Sequence, residues 1–539
     1  MKTYTLILIF LAGFLNSNAR PIDNPRSPHF ATDEIVQNKP GDNQRHPRIA
    51  SAFNGWLYAA YTINDTTSKR GGIYVSFSKD NGQTWKKFVT YEFNNSFYRY
   101  TDIAVGGTDT SNISVFVAGT LLNLSNGSST IYIDKFDGSS GDLVAGQVYE
   151  RSLGALSITD MAVFCDNSFP SSLSAPFSVS ILYAVHGGVQ DSLFFAASVN
   201  GGQTFTIRNT VAHTSGAFRK VALGYGRSPA VITGAYYAAW EMLNTPASTL
   251  GHIYVSHTKL TIGAGWNTPV CLDSLSPATL GVCRNPAVSC QQSTLNNDAA
   301  DLSVIVGFER ASAGNMTNMD VVGCGNKKAF STTTWAPFTV AATTENDLQP
   351  ALAFNPASNR FLITYYDSTN GQLPYAVQDV NLTTPNAWLY LTSQYNDQRT
   401  NLMAPHPVIA INPSVEEACF LWAGENPGNG NGVVLFDAEY AGLATGIAAP
   451  ALSENWTGNP YPNPAKGNIN IPLGFAAPVK MNTVIYDLLG NQVGGQEELS
   501  FSSGTQLLTF DISTLENGVY FCRMETGGVA HTIRFIVQH

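Results

Sequence analysis

Short repeats along this chain bring ionisable or polar groups to the same two places in each unit. Arg48, Asp102, Asp160, Arg219, Arg284 and His406 stand before a first apolar phrase, and Asn64, Thr120, His186, Glu241, Glu309, Asp367 and Glu425 follow a second apolar run. Carboxylates beside arginines are the set needed to cleave a glycosidic bond: an acid for the leaving oxygen, a partner across the bond, and guanidinium forks for an anionic substituent. Under that reading Asp102 or Asp160 is the acid, Glu241 or Glu309 its partner, and Arg48, Arg219 and Arg284 the clamp. Without turnover the same ring is a binding surface for a glycan or a protein. His186, Glu241, Glu309, Asp367, His406 and Glu425 then offer hydrogen bonds, and Tyr61, Trp240, Phe308 and Tyr366 offer flat faces for sugar rings. A third reading leaves the ring as solvated strand ends on a structural or adhesive protein.

Other chemistries find no residues. The chain has no HExxH, no glycine-rich phosphate loop, no GxSxG elbow and no EF-hand spacing. Its seven cysteines, at 165, 271, 283, 290, 324, 419 and 522, contain no CxxC pair, so neither a zinc cage nor a cofactor is expected. Cys271, Cys283, Cys290 and Cys324 gather near one repeat, as two disulfides or as buried thiols. A net charge of -10 with no basic cluster argues against nucleic acid.

The groups must be held by the repeats themselves. An apolar residue followed by a small one recurs with the small residue at Ala50, Ala104, Ala162, Ala222, Ser289, Ala353 and Ala410, preceded in four units by Pro47, Pro286, Pro350 or Pro407. A second apolar run follows each phrase, for example Trp56 to Tyr61, Gly234 to Trp240 or Phe361 to Tyr366, and then a third such as Ile73 to Ser76. Units too long for a hairpin and too short for a domain predict an all-β, seven-bladed β-propeller of four-stranded blades, or a six-bladed one if a unit is degenerate. The small residues suit innermost strands converging on an axis. The last unit lacks a fourth strand, which Phe30 to Gln37 would supply from the N-terminal side. Alternating strand direction places both rings of polar groups on one face.

Two units carry a turn that resembles the Asp-box of sialidase-like, or BNR-repeat, propellers. One has Ser78, Asp80, Gly82 and Trp85, and the other Ser198, Asn200, Gly202 and Phe205. The role implied is structural: Ser and Asp or Asn bond the turn, Gly takes positive φ, and the ring packs into the blade. Sialidases place their first arginine in a Phe/Tyr-Arg-Ile-Pro motif, which Pro47-Arg48-Ile49-Ala50 only partly echoes, and they have six blades. A binding module is therefore preferred over an exo-glycosidase of sialidase type.

The final stretch carries Tyr461-Pro462-Asn463-Pro464, then Val484 to Gly490 (VIYDLLG), then Leu515 to Phe521 (LENGVYF). In this order they resemble the C-terminal sorting domain of the Bacteroidetes type IX secretion system. The resemblance implies partnership with that machinery, passage through the periplasm, and release or attachment to outer-membrane lipopolysaccharide at the cell surface. Residues 1–19 read as a signal peptide, with basic Lys2, apolar Leu6 to Leu15 and Ser17-Asn18-Ala19 before the cut. No later run is long enough to span a bilayer. The expected order is signal peptide 1–19, propeller 20–440, linker 441–460 rich in Ala, Gly and Pro, and a small β-sandwich sorting domain 461–539.

Overall fold

The computed structural model describes residues 33–539 except 38–42, 108–112, 167–176, 189, 229–230, 246–250, 260–264, 274–282, 293–301, 313–314, 342–344, 357, 380–387, 393–394, 397–401, 403–404, 414–416, 427–430, 441–454, 458–459, 461–462, 476–478, 489, 502–503 and 527–528. The signal-peptide segment therefore lies outside the described residues, as does most of the expected linker.

Among the described residues the named elements are all strands. Residues 1–443 form one unit, with seven four-stranded antiparallel sheets. Their first strands are Gln44–Ser51, Ser96–Gly106, Ser157–Cys165, Ala217–Ser228, Cys283–Cys290, Asp347–Asn355 and Val408–Asn412. Each contains one of the apolar-small phrases. These strands touch in cyclic order, the seventh against the first, so the sheets are blades of a β-propeller. Ala50, Ala104, Ser289, Ala353 and Ala410 line an axial channel of about 410 Å³, with Gly224 in that place in blade 4. The second strands, such as Leu57–Asp65 and Val179–His186, are buried almost throughout because blades cover both of their faces.

Closure comes from the N-terminal side. Glu34 and Ile35 pair with Phe436 and Leu435 of strand Gly432–Tyr440, and Val36 N donates to Val434 O at 3.0 Å. Blade 7 thus has three C-terminal strands and one N-terminal strand.

The two serine-led turns are bonded as their residue types require. Gly82 N and Gly202 N donate to Ser78 Oγ (2.8 Å) and Ser198 Oγ (3.0 Å), while Thr84 N and Thr204 N donate to Asp80 Oδ1 (2.9 Å) and Asn200 Oδ1 (3.0 Å). Gly82 has φ 88° and Gly202 φ 79°. Trp85 meets Phe436 edge-on at 5.2 Å and Phe205 meets Tyr149 at 5.1 Å, so each turn packs its ring on the preceding blade.

Residues 444–539 form a second unit. Strands Asn455–Thr457, Asn468–Phe475 and Gly504–Asp511 make one sheet; Gln492–Phe501, Val479–Tyr486, Gly518–Thr526 and Val529–Val537 make the other. Ile469, Ile471, Leu508 and Phe510 from the first share a core with Met481, Ile485, Cys522 and Phe535 from the second, a small sandwich. Strand Asn455–Thr457 falls within the stretch expected to be linker; its backbone is instead paired with residues 473–475.

Candidate functional site

One end of the axial channel is built from irregular backbone. In blades 1 to 6 the first strand slips register there, between Arg45 and Arg48, Tyr98 and Tyr100, Ile158 and Asp160, Phe218 and Val221, Arg284 and Ala287, and Leu348 and Ala351. Such bulges re-aim side chains. Four residues at this end take left-handed φ: His46 (54°), Asn285 (52°), Gln349 (54°) and His406 (44°). Each precedes one of the repeat prolines, where extended backbone is the norm, so the conformation carries strain.

The result is a mouth of about 270 Å³, lined by Arg48, Asp102, Asp160, Lys220, Asn285, Gln349 and His406 with the repeat prolines Pro286, Pro350 and Pro407. Its carboxylates are mostly committed to the next blade. Asp102 Oδ2 accepts the N–H of Val163 (2.7 Å), its Oδ1 accepts that of Ile103 (2.9 Å), and Arg48 Nε lies 3.6 Å away. Asp160 Oδ2 accepts the N–H of Val221 at 3.0 Å. Asp160 Oδ1, by contrast, is buried without a hydrogen bond, 3.9 Å from Lys220 Nζ. Burial raises the Asp102 carboxyl above its ordinary range, against the pull of Arg48 and the two N–H donors.

The same clasp recurs around the ring. Glu241 accepts the N–H of Asn285 (3.2 Å), and burial raises its carboxyl despite that bond. Glu309, fully buried, accepts Arg284 Nε (2.6 Å), Asn285 Nδ2 (2.5 Å) and the N–H of Gln349 (2.7 Å). Gln349 Oε1 in turn accepts the N–H of His406 at 2.9 Å. Asn64 brackets Tyr98, accepting its N–H (3.0 Å) and donating to its C=O (2.7 Å). His46 and His406 sit with ring centroids 5.5 Å apart. Burial foremost, with Arg45, Arg48 and Lys220 nearby, pushes His46 down to about 4 and His406 down to about 3.

The sequence-derived residues are distributed unevenly. Arg48, Asp102, Asp160 and His406 line the mouth. Arg284 is held by Glu309, its cross-strand neighbour, and Arg219 is exposed; neither lines that cavity. His186 Nδ1 lies 2.6 Å from Asp191 Oδ1, whose other oxygen accepts the N–H of Phe218 (3.1 Å). Asp367 accepts the N–H groups of Thr369 and Asn370 in its own turn, both at 3.0 Å. Glu425 ends the second strand of blade 7 opposite Gly432. These second-ring residues were expected just beyond the strands, but pairing with the first strand for His186 and Asp367, and with the third strand for Glu425, extends far enough to include them. His46, Lys220, Asn285 and Gln349 escaped the sequence reading. The residue before each repeat proline was the available signal for three of them.

Residues 459–538 match the family model described as "Secretion system C-terminal sorting domain". The C-terminal unit is a type IX secretion sorting domain. The protein is accordingly exported, to the cell surface or beyond, and interacts with the secretion machinery through this domain. No curated protein matches the sequence. Among solved structures, the α-L-arabinofuranosidase of Fusarium graminearum in complex with arabinobiose is similar at 12% identity and a TM-score of 0.42, covering 76% of this chain and 97% of that one. An α-L-arabinanase of Penicillium chrysogenum gives 13%, 0.42, 76% and 98%. PorZ, a surface component of the type IX system of Porphyromonas gingivalis, gives 14% and 0.39, with 94% of this chain and 61% of that one. Likenesses this distant transfer no residue role.

Proposed function

We propose that this protein is an exported, non-catalytic binding module whose axial mouth takes a hydroxyl-rich ligand, a glycan. The observation that carries this reading is Asp160 Oδ1: an acceptor buried at the wall of the mouth, without a hydrogen bond, beside the Lys220 ammonium. That oxygen is closed to solvent, so it acts on the ligand through Lys220: the ammonium, on a side chain 38% exposed and held beside the carboxylate, presents its donors to sugar hydroxyls. Arg48, Lys220, Asn285 and Gln349 add groups able to orient a polyol. Strained backbone at four places around the mouth is the kind of local cost found where a site is preformed.

One observation favours a second reading, glycoside hydrolysis. Asp102, with a raised carboxyl, and Asp160 line the same mouth, as an acid and its partner would. Against it, both Asp102 oxygens already accept backbone N–H groups. A clamp of three arginines finds no support in the cavity lining, to which only Arg48 contributes.

The test is a glycan array probed with the full mature chain, followed by mass spectrometry of the retained sugars. Retention of intact glycan, weakened tenfold or more by Asp160→Asn and by Lys220→Ala, is the expected result. Sugar release that disappears with Asp102→Asn would establish the hydrolase instead. Binding insensitive to both Asp160→Asn and Lys220→Ala would move the ligand away from the mouth.

A further inference from the structure

The outer edge of blade 4 holds a mixed set of donors that no sequence motif announces. Strand Gly251–Lys259 pairs with the short strand Val270–Cys271 so that Tyr254 lies opposite Cys271. The pairing continues one step further, with Leu272 N donating to Ile253 O at 2.8 Å. Period-two geometry then puts Cys271 and Asp273 on one face of the edge, with His252 across from Asp273. The contacts agree: His252 Nδ1 is 2.8 Å from Asp273 Oδ2, and Cys271 Sγ donates to Asp273 Oδ1 at 2.8 Å. The ligand atoms of the three residues all lie within 4.8 Å of one another. All three residues are half-buried, reachable by an ion from solvent yet held in place by the sheet.

We propose that His252, Cys271 and Asp273 form a binding site for a divalent zinc ion. Thiolate, imidazole and carboxylate in one cluster is the donor mixture that a borderline-soft, tetrahedral cation takes, and it is poorly matched to magnesium or calcium, which want oxygen alone. Binding exchanges protons for metal: Cys271 loses its thiol proton to solvent as the Zn–S bond forms, and His252 presents the Nδ1 lone pair while Nε2 keeps its hydrogen. Asn244 stands 3.3 Å from that Nε2, where its side-chain amide, turned to present oxygen, would fix the tautomer from outside the ligand set. Three protein ligands leave a fourth position for water or an incoming donor. Asp273 also borders a cleft of about 190 Å³ whose walls include Arg310 and Cys324. The sequence expectation of no metal rested on the absence of CxxC; here the donors are a Cys-x-Asp edge and a histidine on the adjacent strand.

The experiment uses the untagged full chain, stripped with a chelator and titrated with Zn²⁺ against a chromophoric competitor. One zinc per chain is expected, with affinity falling at least tenfold in Cys271→Ser and in His252→Ala and unchanged in Cys324→Ser. In parallel, wild-type protein loaded with Co²⁺ is expected to show thiolate-to-metal charge transfer and tetrahedral ligand-field bands. That readout holds even if a variant fails to fold. Absence of both stoichiometric zinc and the cobalt thiolate band, or zinc binding untouched by both ligand substitutions in folded variants, overturns the site.

Discussion

Glu309, on the second strand of blade 5, accepts the backbone N–H of Gln349, on the first strand of blade 6, at 2.7 Å while holding Arg284 at 2.6 Å. One buried carboxylate thus ties a side chain of its own blade to the main chain of the next. Removing it in Glu309→Ala leaves the Gln349 N–H and Asn285 Nδ2 without this acceptor, a loss of about 1–3 kcal/mol, while Arg284, 37% exposed, stays solvated. Glu309→Gln keeps an acceptor oxygen and loses less. Urea unfolding of the two variants should separate them by midpoint; equal midpoints would show that the clasp contributes little.

Gly82 is the position in the first serine-led turn that tolerates no side chain. A Cβ there would sit 2.0 Å from Phe436 Cε1, on backbone with φ 88°. Gly82→Ala should cost on the order of 2–4 kcal/mol through strain and overpacking. Because the collision is with blade 7, proteolysis near residues 33–37 should accelerate as well. Unchanged melting and unchanged cleavage would contradict this.

His46 and His406 make stability depend on pH. Folded, they titrate at about 4 and about 3; unfolded, near 6.5. As pH falls through that interval the unfolded chain binds more protons than the folded one. Stability is therefore at its full value with respect to these groups above about 6.5 and is lost progressively as pH falls towards about 3. At roughly 1.4 kcal/mol for each tenfold weakening of proton affinity, acidification through this interval destabilises the fold by several kcal/mol. The double variant His46→Asn, His406→Asn, whose side chains tolerate left-handed φ, should flatten the dependence of the urea midpoint between about pH 7 and 4.5. An equal slope in wild type and variant would remove these histidines from the account.

Deleting 459–539 should abolish export while leaving the propeller folded. Immunoblots of cell fractions should find the truncated chain retained in the periplasm. Its normal appearance in the medium or on the surface would separate the domain from sorting.

The apolar-small phrases were legible because the same pair recurs in the innermost strand of every blade, where Ala50, Ala104 and Ala410 line the channel. The closing strand was legible because Gly432–Tyr440 had no partner left in its own unit. The mouth was legible only in part. Asp102, Asp160 and Lys220 share one first-strand position, directly before the apolar-small pair, but in blade 4 Arg219, one residue earlier, was expected there because a guanidinium suits an anion clamp. Glu241 and Glu309 looked like ligands because sequence shows a carboxylate and not the neighbouring backbone N–H it accepts. The zinc donors were invisible for a related reason: His252 and Asp273 are far apart in sequence and adjacent only across a strand pair.

Strand Glu34–Ile35 has a consequence for the order of events during export. Blade 7 needs the earliest described strand and the last strand before the sorting domain, so a chain emerging from its N-terminal end holds an open arc until residue 440 is made. Every copy that bears the complete sorting domain has, by then, the material to shut its ring. The position of the label after the closing strand makes it a mark of a finished propeller, and a truncated arc, with its blade edges still unpaired, would lack the label that selects for passage.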